Sequence, residues 1–339
     1  MTCARLLAAV LLLALALPAA APAWDRGDVD TFAVLPAGTA HPEGLTVDSA
    51  GNVWVADFDV TKASGPGDVI AFKPNGKLLR HLRPTGSSNL LLGLDFHPIT
   101  HELLVIDFGN KKVLRVDPVT GAAADFGTLT PADAANAGLN ALTFDAAGNV
   151  YVSDSFQGTI WRTGPAGGVM TAWARDHKLT TTGVPPFGAN GLAFNRAGTT
   201  LFVANTGDDS IVQIQASNTS NVTVFTNSIN GADGLIIDDE DNLWVAANQA
   251  DEIVVVNPSG RVIAKLGDFD GIGPHGAPRG LLFPASPFLH GGFLYVTNLS
   301  LDLRAATGQP AVDAPWAAQV TRHTVSRLRA RIPHVSGLP

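Results

Sequence analysis

PEGLTVDSAGNVWVADF, at residues 42–58, contains the pattern that decides the fold. A short apolar strand, GLTV, is followed by a turn rich in Asp, Gly and Asn and then by a second strand, VWVA. Alternating and β-branched residues favour strands, and Gly or Asn in such a turn supplies the positive φ that a tight hairpin requires. This stretch therefore predicts an antiparallel hairpin.

The same pattern recurs along the chain at intervals of about 43 to 50 residues. The other copies are LLGLDFHPITHELLVIDFG (91–109), LNALTFDAAGNVYVSDS (139–155), ANGLAFNRAGTTLFVANTG (189–207), ADGLIIDDEDNLWVAANQ (232–249) and PRGLLFPASPFLHGGFLYVTN (278–298). Each copy is followed by a third strand and usually a fourth, as in DVIAFKP and KLLRHLR after the first. Four antiparallel strands form a propeller blade, and a ring leaves only short exposed edges. The sequence thus predicts an all-β, six-bladed β-propeller.

The last repeat lacks a fourth strand of its own. Its third strand is predicted near VSRLRARI, at residues 325–332. The segment TFAVLPA, at residues 31–37, resembles the outer strands of the other blades. We therefore expect the N-terminal strand to close the last blade.

The first 23 residues have the features of a secretory signal peptide. Arg5 precedes an apolar run at residues 6–17, and Ala21 and Ala23 form an A-x-A cleavage pattern. The run is too short to span a bilayer of about 30 Å. We expect residues 1–23 to be removed, which also removes the only cysteine, Cys3. Residues 24–339 would then form a single secreted or periplasmic domain without a disulfide.

Charge and hydropathy exclude several classes of partner. The formal net charge is −8, and no cluster of Lys and Arg stands out. Because binding to a phosphate backbone requires concentrated positive charge, nucleic acid is not expected as a partner. No membrane span is expected after the signal peptide is cleaved. We expect a monomer that acts on a small-molecule substrate.

The residue just before the apolar core of each first strand is predicted to face one mouth of the central channel. Around the ring these residues are Glu43, Leu92, Asn140, Asn190, Asp233 and Arg279. Two carboxylates and two amide carbonyls on one axis are a typical ligand set for Ca²⁺, whereas Zn²⁺ more often takes His or Cys. The alternative is that a wet channel mouth tolerates polar residues without a metal.

In these motifs the chain resembles the senescence marker protein/gluconolactonase-like family of six-bladed propellers, and the related diisopropyl fluorophosphatase and paraoxonase groups. The family holds a divalent cation with a Glu of the first blade, an Asn of the fourth and an Asp of the fifth, which match Glu43, Asn190 and Asp233. A further Asn of the third blade matches Asn140, and FLHGGFLYVTN resembles the family's sixth-blade segment. The resemblance implies one bound divalent cation, Ca²⁺, at Glu43, Asn140, Asn190 and Asp233.

One departure concerns the substrate. Sugar-lactone hydrolases of the family usually carry Arg and then Asn-Asp-Gly around the third-blade ligand, whereas this chain has GLNA at residues 138–141. That difference weakens gluconolactone as the substrate.

The resemblance implies metal-dependent hydrolysis of lactones or related esters. Asp233 would act as general base, or as nucleophile in a phosphatase-like variant. Arg279 would stabilise an oxyanion, or would pair with Glu43 or Asp233 across the ring. Leu92 would form an apolar wall for the substrate, while His275 and His290 would act as proton shuttles or as plain loop residues.

Two other functions remain open at this point. The GNVWVAD and GNVYVSD phrases also resemble NHL-type repeats, which serve as ligand- or protein-binding scaffolds without catalysis. A phosphotriesterase is the third possibility.

Overall fold

A computed structural model describes residues 25–304, 308 and 313–333. The described chain forms six large sheets. Each of them contains four strands that run antiparallel to their neighbours. They are arranged as the six blades of a β-propeller, which confirms the predicted fold. The predicted signal peptide lies outside the described residues and stays a prediction.

The strands of the first three blades have the following bounds. Blade one contains β2 (Pro42–Val47), β3 (Val53–Asp57), β4 (Val69–Phe72) and β5 (Leu78–Leu82); blade two contains β6 (Leu91–Phe96), β7 (Leu103–Asp107), β8 (Lys112–Val116) and β9 (Ala123–Thr128); blade three contains β10 (Leu139–Phe144), β11 (Val150–Asp154), β12 (Thr159–Thr163) and β14 (Thr171–Arg175). A two-residue strand, β13 (Gly168–Val169), extends blade two by pairing in parallel with β9.

The other three blades follow the same order from the channel outwards. Blade four contains β15 (Ala189–Phe194), β16 (Thr200–Asn205), β17 (Ser210–Gln215) and β18 (Asn218–Asn227); blade five contains β19 (Ala232–Ile237), β20 (Leu243–Ala247), β21 (Glu252–Val256) and β22 (Val262–Leu266); blade six contains β25 (Pro284–His290), β26 (Phe293–Asn298), β27 (Thr324–Arg329) and β1 (Val29–Val34). A separate hairpin, β23 (Phe269–Ile272) and β24 (Pro278–Gly280), precedes blade six.

Every inner strand carries the same irregularity near its start. In blade one the pairing shifts between Pro42, opposite Asp57, and Leu45, opposite Val55. The other five inner strands shift at the equivalent place. A bulge at this point re-aims the intervening side chain. The structure therefore defines a ring of six equivalent residues, here called the first ring: Glu43, Leu92, Asn140, Asn190, Asp233 and Ala285.

In blades one, two, four and five the residue after the first-ring position is a glycine, which the close approach of the neighbouring inner strand requires. A Cβ atom on Gly44 would lie 2.4 Å from the carbonyl oxygen of Leu92. A Cβ on Gly234 would lie 2.5 Å from that of Ala285. Real Cβ atoms do not come so near to backbone, so the glycine of the GL motif sets the width of the channel.

The turn between the first and second strands contains a network of side-chain hydrogen bonds in addition to the positive φ that the sequence predicts. Positive φ is supplied by Gly51 in blade one and by Asp241 in blade five. The Asn side chain has a different role, since Asn52 Nδ2 donates to the carboxylate of Asp48 at 2.9 Å. Trp54 Nε1 donates to the same carboxylate at 2.9 Å. The turn is thus tied to the second strand by one aspartate.

The N-terminal strand closes the last blade, as predicted. β1 pairs antiparallel with β27, with Thr31 opposite Ser326 and Ala33 opposite Val325. The ring of Phe32 packs edge-on against Tyr295 of β26, with 4.9 Å between the ring centroids. The closure therefore combines a hydrogen-bonded edge with apolar packing between the first and last parts of the chain.

The start of blade six differs from the prediction. The sequence pattern predicts GLLF, after Arg279, as the inner strand of this blade. In the structure the inner strand is β25, whose Pro284 pairs with Asn298 just as Pro42 pairs with Asp57. The hairpin of β23 and β24 imitates the repeat in sequence but forms a separate two-stranded sheet. The sixth member of the first ring is therefore Ala285 and not Arg279.

Apolar clusters lie between neighbouring blades. One example joins blades four and five, where Phe202 and Ile211 pack with Val245 and Val254. Short helical turns occur in the connections, including α1 (Pro131–Ala134) and α2 (Ala314–Ala317). Within the described part of the chain, no helix is long and apolar enough to cross a membrane.

Closure by β1 can be tested with one buried and one exposed position of that strand. Ala33 is 5% exposed, so Ala33→Asp places a carboxylate without a partner in the blade-six core. We expect a loss of more than about 2 kcal/mol in the free energy of unfolding, measured by urea titration. Asp30→Ala, at an exposed position of β1, should change it by less than about 0.5 kcal/mol. Equal stability of the two variants would contradict the closure.

Candidate metal centre at the channel mouth

Five of the six first-ring residues line one small cavity. The cavity has a volume of about 40 Å³, and Glu43, Leu92, Asn140, Asn190 and Asp233 line it together. All four predicted ligands are nearly buried, with exposed fractions between 3% and 5%. The structure thus brings together the residues that were expected to hold a cation, and it places Leu92 beside them. Their role as ligands stays a prediction.

Several buried oxygens in this cavity have no hydrogen-bond partner in the protein. They are Glu43 Oε2, Asn140 Oδ1, Asp233 Oδ1 and Asn248 Oδ1. A buried acceptor without a partner costs about 1–3 kcal/mol, so folded proteins seldom leave several in one place. Their concentration indicates a missing partner that can accept several oxygen contacts at once.

A second set of equivalent residues holds the polar members of the first ring. The residue directly after the second strand of each blade forms this second ring: Phe58, Phe108, Ser155, Thr206, Asn248 and Leu299. In blades three to five these side chains are polar, and in blades six, one and two they are apolar. The mouth is therefore divided into a polar half and an apolar half.

In the polar half, each second-ring side chain bonds the first-ring residue of its own blade. Asn140 Nδ2 donates to Ser155 Oγ at 3.3 Å, and Asn190 Nδ2 donates to Thr206 Oγ1 at 3.0 Å. The Ser155 hydroxyl donates to the carbonyl of Ala189 at 2.7 Å, which leaves its oxygen free to accept from Asn140. Because Nδ2 of Asn140 is used in this way, its Oδ1 is the atom left without a partner.

The fifth blade uses an amide to hold a carboxylate. Asn248 Nδ2 donates to Asp233 Oδ2 at 3.1 Å. This bond leaves Asp233 Oδ1 without a hydrogen-bond partner in the protein. Asn248 Oδ1 packs against Gly231, so Asn248 acts through its amide nitrogen, which orients Asp233.

The two carboxylates of the site are buried close to one another. Burial raises the pKa of Asp233 to about 7, although hydrogen bonds from Asn248 and Asn190 act in the opposite direction. Burial, and then the charge of Asp233, raises the pKa of Glu43 well above its ordinary value. No ion pair among the described residues involves either group, so a bound cation would lower both pKa values by stabilising the charged carboxylates.

The donor set fits a hard divalent cation. It consists of two carboxylates and amide oxygens, the ligand types that Ca²⁺ prefers. Within residues 25–304 and 313–333 no group of three His, Cys, Asp or Glu side chains lies close enough to hold a metal. Binding would thus depend on Asn140 and Asn190 as well as on the two acids.

An apolar segment covers the cavity. Leu299, Leu301 and Leu303 follow β26 and line the cavity, and none of them is more than 6% exposed. Phe283 and Phe58 complete this cover in the same apolar cluster. The site is therefore shielded from bulk water, which strengthens electrostatic interactions inside it.

Three predicted site residues are not brought to this cavity. Arg279 is exposed in the β23–β24 hairpin, and its Nη2 donates to the carbonyl of Asp270. Both expectations for Arg279, oxyanion contact and an ion pair across the ring, are therefore wrong, because they rest on the misplaced inner strand of blade six. His275 is exposed in the turn of that hairpin. His290 lies at the far end of β25, next to Gly51.

Sequence reasoning missed the second ring, and above all Asn248. A signal for it exists, because the residue after the second strand reads Phe, Phe, Ser, Thr, Asn and Leu around the repeats. Asn248 is harder to find than the others, since blade five ends its second strand in Ala247 where the other blades have Asp or Asn.

The raised pKa values of the two carboxylates predict how stability depends on pH without metal. Ordinary carboxyls release their protons near pH 4, so between about pH 4 and 7 the folded state binds more protons than the unfolded chain. The free energy of unfolding in EDTA should therefore fall as pH rises from 5 to 7, by up to about 1.4 kcal/mol per pH unit for each proton. Glu43→Gln removes one of the two acids and should flatten this slope. An unchanged slope in the variant, measured by urea titration, would contradict the coupling.

Comparison with solved structures supports the fold. A gluconolactonase from Xanthomonas campestris is 14% identical, with a TM-score of 0.62 over 90% of this chain and 91% of that chain. The calcium-binding protein regucalcin from Agrobacterium tumefaciens is 17% identical, with a TM-score of 0.58 over 90% and 97%. Virginiamycin B lyase from Staphylococcus aureus is 17% identical, with a TM-score of 0.54 over 80% and 81%. At these identities the similarity concerns the fold alone.

Comparison by sequence gives the family. No curated protein matches the chain significantly. The family model of the SMP-30/Gluconolactonase/LRE-like region matches residues 100–267. That match includes Asn140, Asn190 and Asp233, and Glu43 precedes it. Residues 100–267 therefore form an SMP-30/gluconolactonase/LRE-like region.

Proposed function

We propose that the protein is a hydrolase of lactones or related carboxylic esters that depends on one divalent cation, Ca²⁺. The observation that carries the proposal is the set of buried, unpartnered oxygens on Glu43, Asn140 and Asp233 in one small cavity. A binding scaffold has no need to bury two carboxylates without a counter-charge, because doing so costs stability. A cation site explains that cost.

Glu43, Asn140, Asn190 and Asp233 would hold the cation, and Asn248 would orient Asp233. A cation bound there supplies Lewis-acid polarisation of a carbonyl and lowers the pKa of a water. The cavity of about 40 Å³ has room for an ion and little more. The chain would therefore position the reacting carbonyl at the edge of the first ring, next to Leu92.

Asp233 is the residue that we assign to proton transfer. Its Oδ2 is oriented by Asn248, while its Oδ1 has no partner in the protein. Because Asn248 fixes the carboxylate, Oδ1 would face the cation and the water whose proton it accepts without a change of rotamer. The apolar cover of Leu299 and Leu301 would keep bulk water from competing for that proton.

The names of two structurally similar proteins support the proposed lactonase activity, and the name of a third shows that the fold also occurs with another activity. Gluconolactonase is named for a lactone and regucalcin for calcium binding. Virginiamycin B lyase has a similar fold and is named for a lyase reaction, so fold alone does not decide the activity. The lactone proposal therefore depends on the donor set of this chain.

The proposal is tested with two isosteric variants of channel aspartates. Asp233→Asn keeps an oxygen donor and removes the base, so it should retain much of its Ca²⁺ binding while kcat falls by about 10²–10⁴. Asp95→Asn is the matched control. Asp95 also lies on an inner strand, where it accepts from Thr46 Oγ1 at 2.6 Å, but it lines the opposite part of the channel. The control should keep kcat within about threefold.

The measurement is hydrolysis of lactones, aryl esters and phosphotriesters with Ca²⁺ and with EDTA, together with calorimetric titration of Ca²⁺. Ca²⁺ binding without hydrolysis of any substrate would favour a binding propeller. Hydrolysis of phosphotriesters alone would favour a phosphotriesterase. Activity that survives EDTA, or that Asp95→Asn lowers as much as Asp233→Asn, would contradict the proposal.

A further inference from the structure

A second, larger cavity opens beside the candidate metal centre. It has a volume of about 590 Å³ and shares Phe58 and Phe187 with the small cavity. The two spaces therefore adjoin at these side chains. Ligand sites for small molecules typically measure about 300–1,000 Å³, so the larger space is suitable for the non-reacting part of a substrate.

Four phenylalanines form a continuous row along this cavity, which we call the aromatic groove: Phe58, Phe108, Phe156 and Phe187. The ring centroids are 5.7 Å apart between Phe58 and Phe108, and 5.9 Å apart between Phe108 and Phe156. Phe156 and Phe187 follow at 5.6 Å. Each residue comes from a different blade or connection, so the row exists only in the folded ring.

The polar side chains of the groove are already used by the protein. Lys62 Nζ lies 2.9 Å from Asp59 Oδ2 and 2.6 Å from Asp68 Oδ2, so its charge is neutralised. Asn89 Nδ2 donates to the carbonyls of Asp59 and Lys62 at 2.8 and 2.9 Å. What remains for a ligand is hydrocarbon and ring surface, including Val60, Leu90 and Pro186.

The row passes from the interior to the surface. Phe58, next to the first ring, is 7% exposed, whereas Phe156 is 47% exposed. All sixteen phenylalanines lie in the described part of the chain, and Phe156 is the only exposed one among them. Its ring packs directly on Gly138, where a Cβ atom would lie 2.6 Å from Phe156 Cδ2. Gly138 therefore lets an aromatic ring stay at the surface of the mouth.

We infer that the aromatic groove binds an alkyl or aryl substituent of the substrate, so that the preferred substrates are lipophilic lactones or esters. This inference rests on the proposed function, because it places the reacting carbonyl at the first ring and the substituent along the groove. A sugar-like substrate would leave its hydroxyls facing rings and methyl groups, at a cost for each lost hydrogen bond. A lipophilic substituent would instead remove apolar surface from water.

Binding is tested separately from catalysis with 2-alkylcyclopentanones, from methyl to heptyl. These ketones keep the carbonyl and the alkyl chain but contain no ester that could be cleaved. Transfer of one methylene out of water tightens binding roughly two- to fourfold. Calorimetry with the Ca²⁺-loaded protein should therefore give a Kd that falls by about this factor per methylene. A parallel series of γ-alkyl lactones should show the same trend in kcat/KM.

The decisive variant is Phe156→Ala, which alters an exposed ring and should leave the fold intact. It should weaken binding of the heptyl ketone about fivefold or more, and that of the methyl ketone less than twofold. Phe156→Leu should restore most of the loss, because the groove needs apolar surface at this position. Trp316→Ala is the matched control, since Trp316 is 45% exposed and lies outside the groove. It should change neither Kd.

The outcomes separate this inference from the proposed function. Chain-length-dependent ketone binding without lactone hydrolysis would support the groove and contradict the hydrolase. Hydrolysis with no dependence on chain length would contradict the groove and support the hydrolase. The groove is also refuted if no ketone binds, or if Phe156→Ala affects short and long chains equally. A change in oligomeric state of Phe156→Ala, seen by light scattering, would identify the row as a protein interface instead.

Discussion

Six inner strands have to converge on one axis, and the rest of the molecule depends on that convergence. The strands come so close that a Cβ on Gly191 would lie 2.6 Å from the carbonyl oxygen of Asp233. Only glycine or another small residue fits beside such a neighbour, and the bulge that precedes it turns one side chain per blade into the channel mouth. The same constraint that closes the ring therefore assembles residues from distant parts of the chain at one point.

The mouth is asymmetric, and the asymmetry has chemical consequences. Blades three to five supply amides and hydroxyls that orient one another, whereas blades six, one and two supply Leu299, Phe58 and Phe108 at the equivalent positions. A cation would be held between the polar side and Glu43 of blade one, and apolar parts of a ligand would be accommodated on the other side. The leucines that cover the small cavity keep bulk water away from the cation side.

Much of the fold could be predicted from the sequence, because the same strand–turn–strand pattern recurs six times along it. The closing strand could also be predicted, since its absence from the last repeat required a donor elsewhere. Blade six was misread because PRGLLF imitates a repeat start, while the true inner strand, PASPFLH, contains two prolines and no glycine after the ring position. Local pattern alone did not distinguish them, and the pairing of Pro284 with Asn298 did.

The candidate site was predictable where function follows from position in the repeat, as for Glu43 and Asp233. It was not predictable where function depends on contacts between blades. The aromatic groove is an example, because Phe58 and Phe156 are separated by about a hundred residues and meet only through Phe108. Asn248 is a third kind of case. Its position after the second strand could be read from the repeat, but its hydrogen bond to Asp233 could not.

The central claim is that the unpartnered oxygens of the first ring form a cation site. Its most direct test is a crystal structure grown with Mn²⁺ in place of Ca²⁺, with anomalous diffraction used to locate the ion. The account predicts one strong anomalous peak in the small cavity, with the oxygens of Glu43, Asn190 and Asp233 at metal-ligand distances, which for Ca²⁺ are about 2.3–2.6 Å. A cavity that contains only water at saturating metal, or a peak elsewhere in the ring, would contradict it.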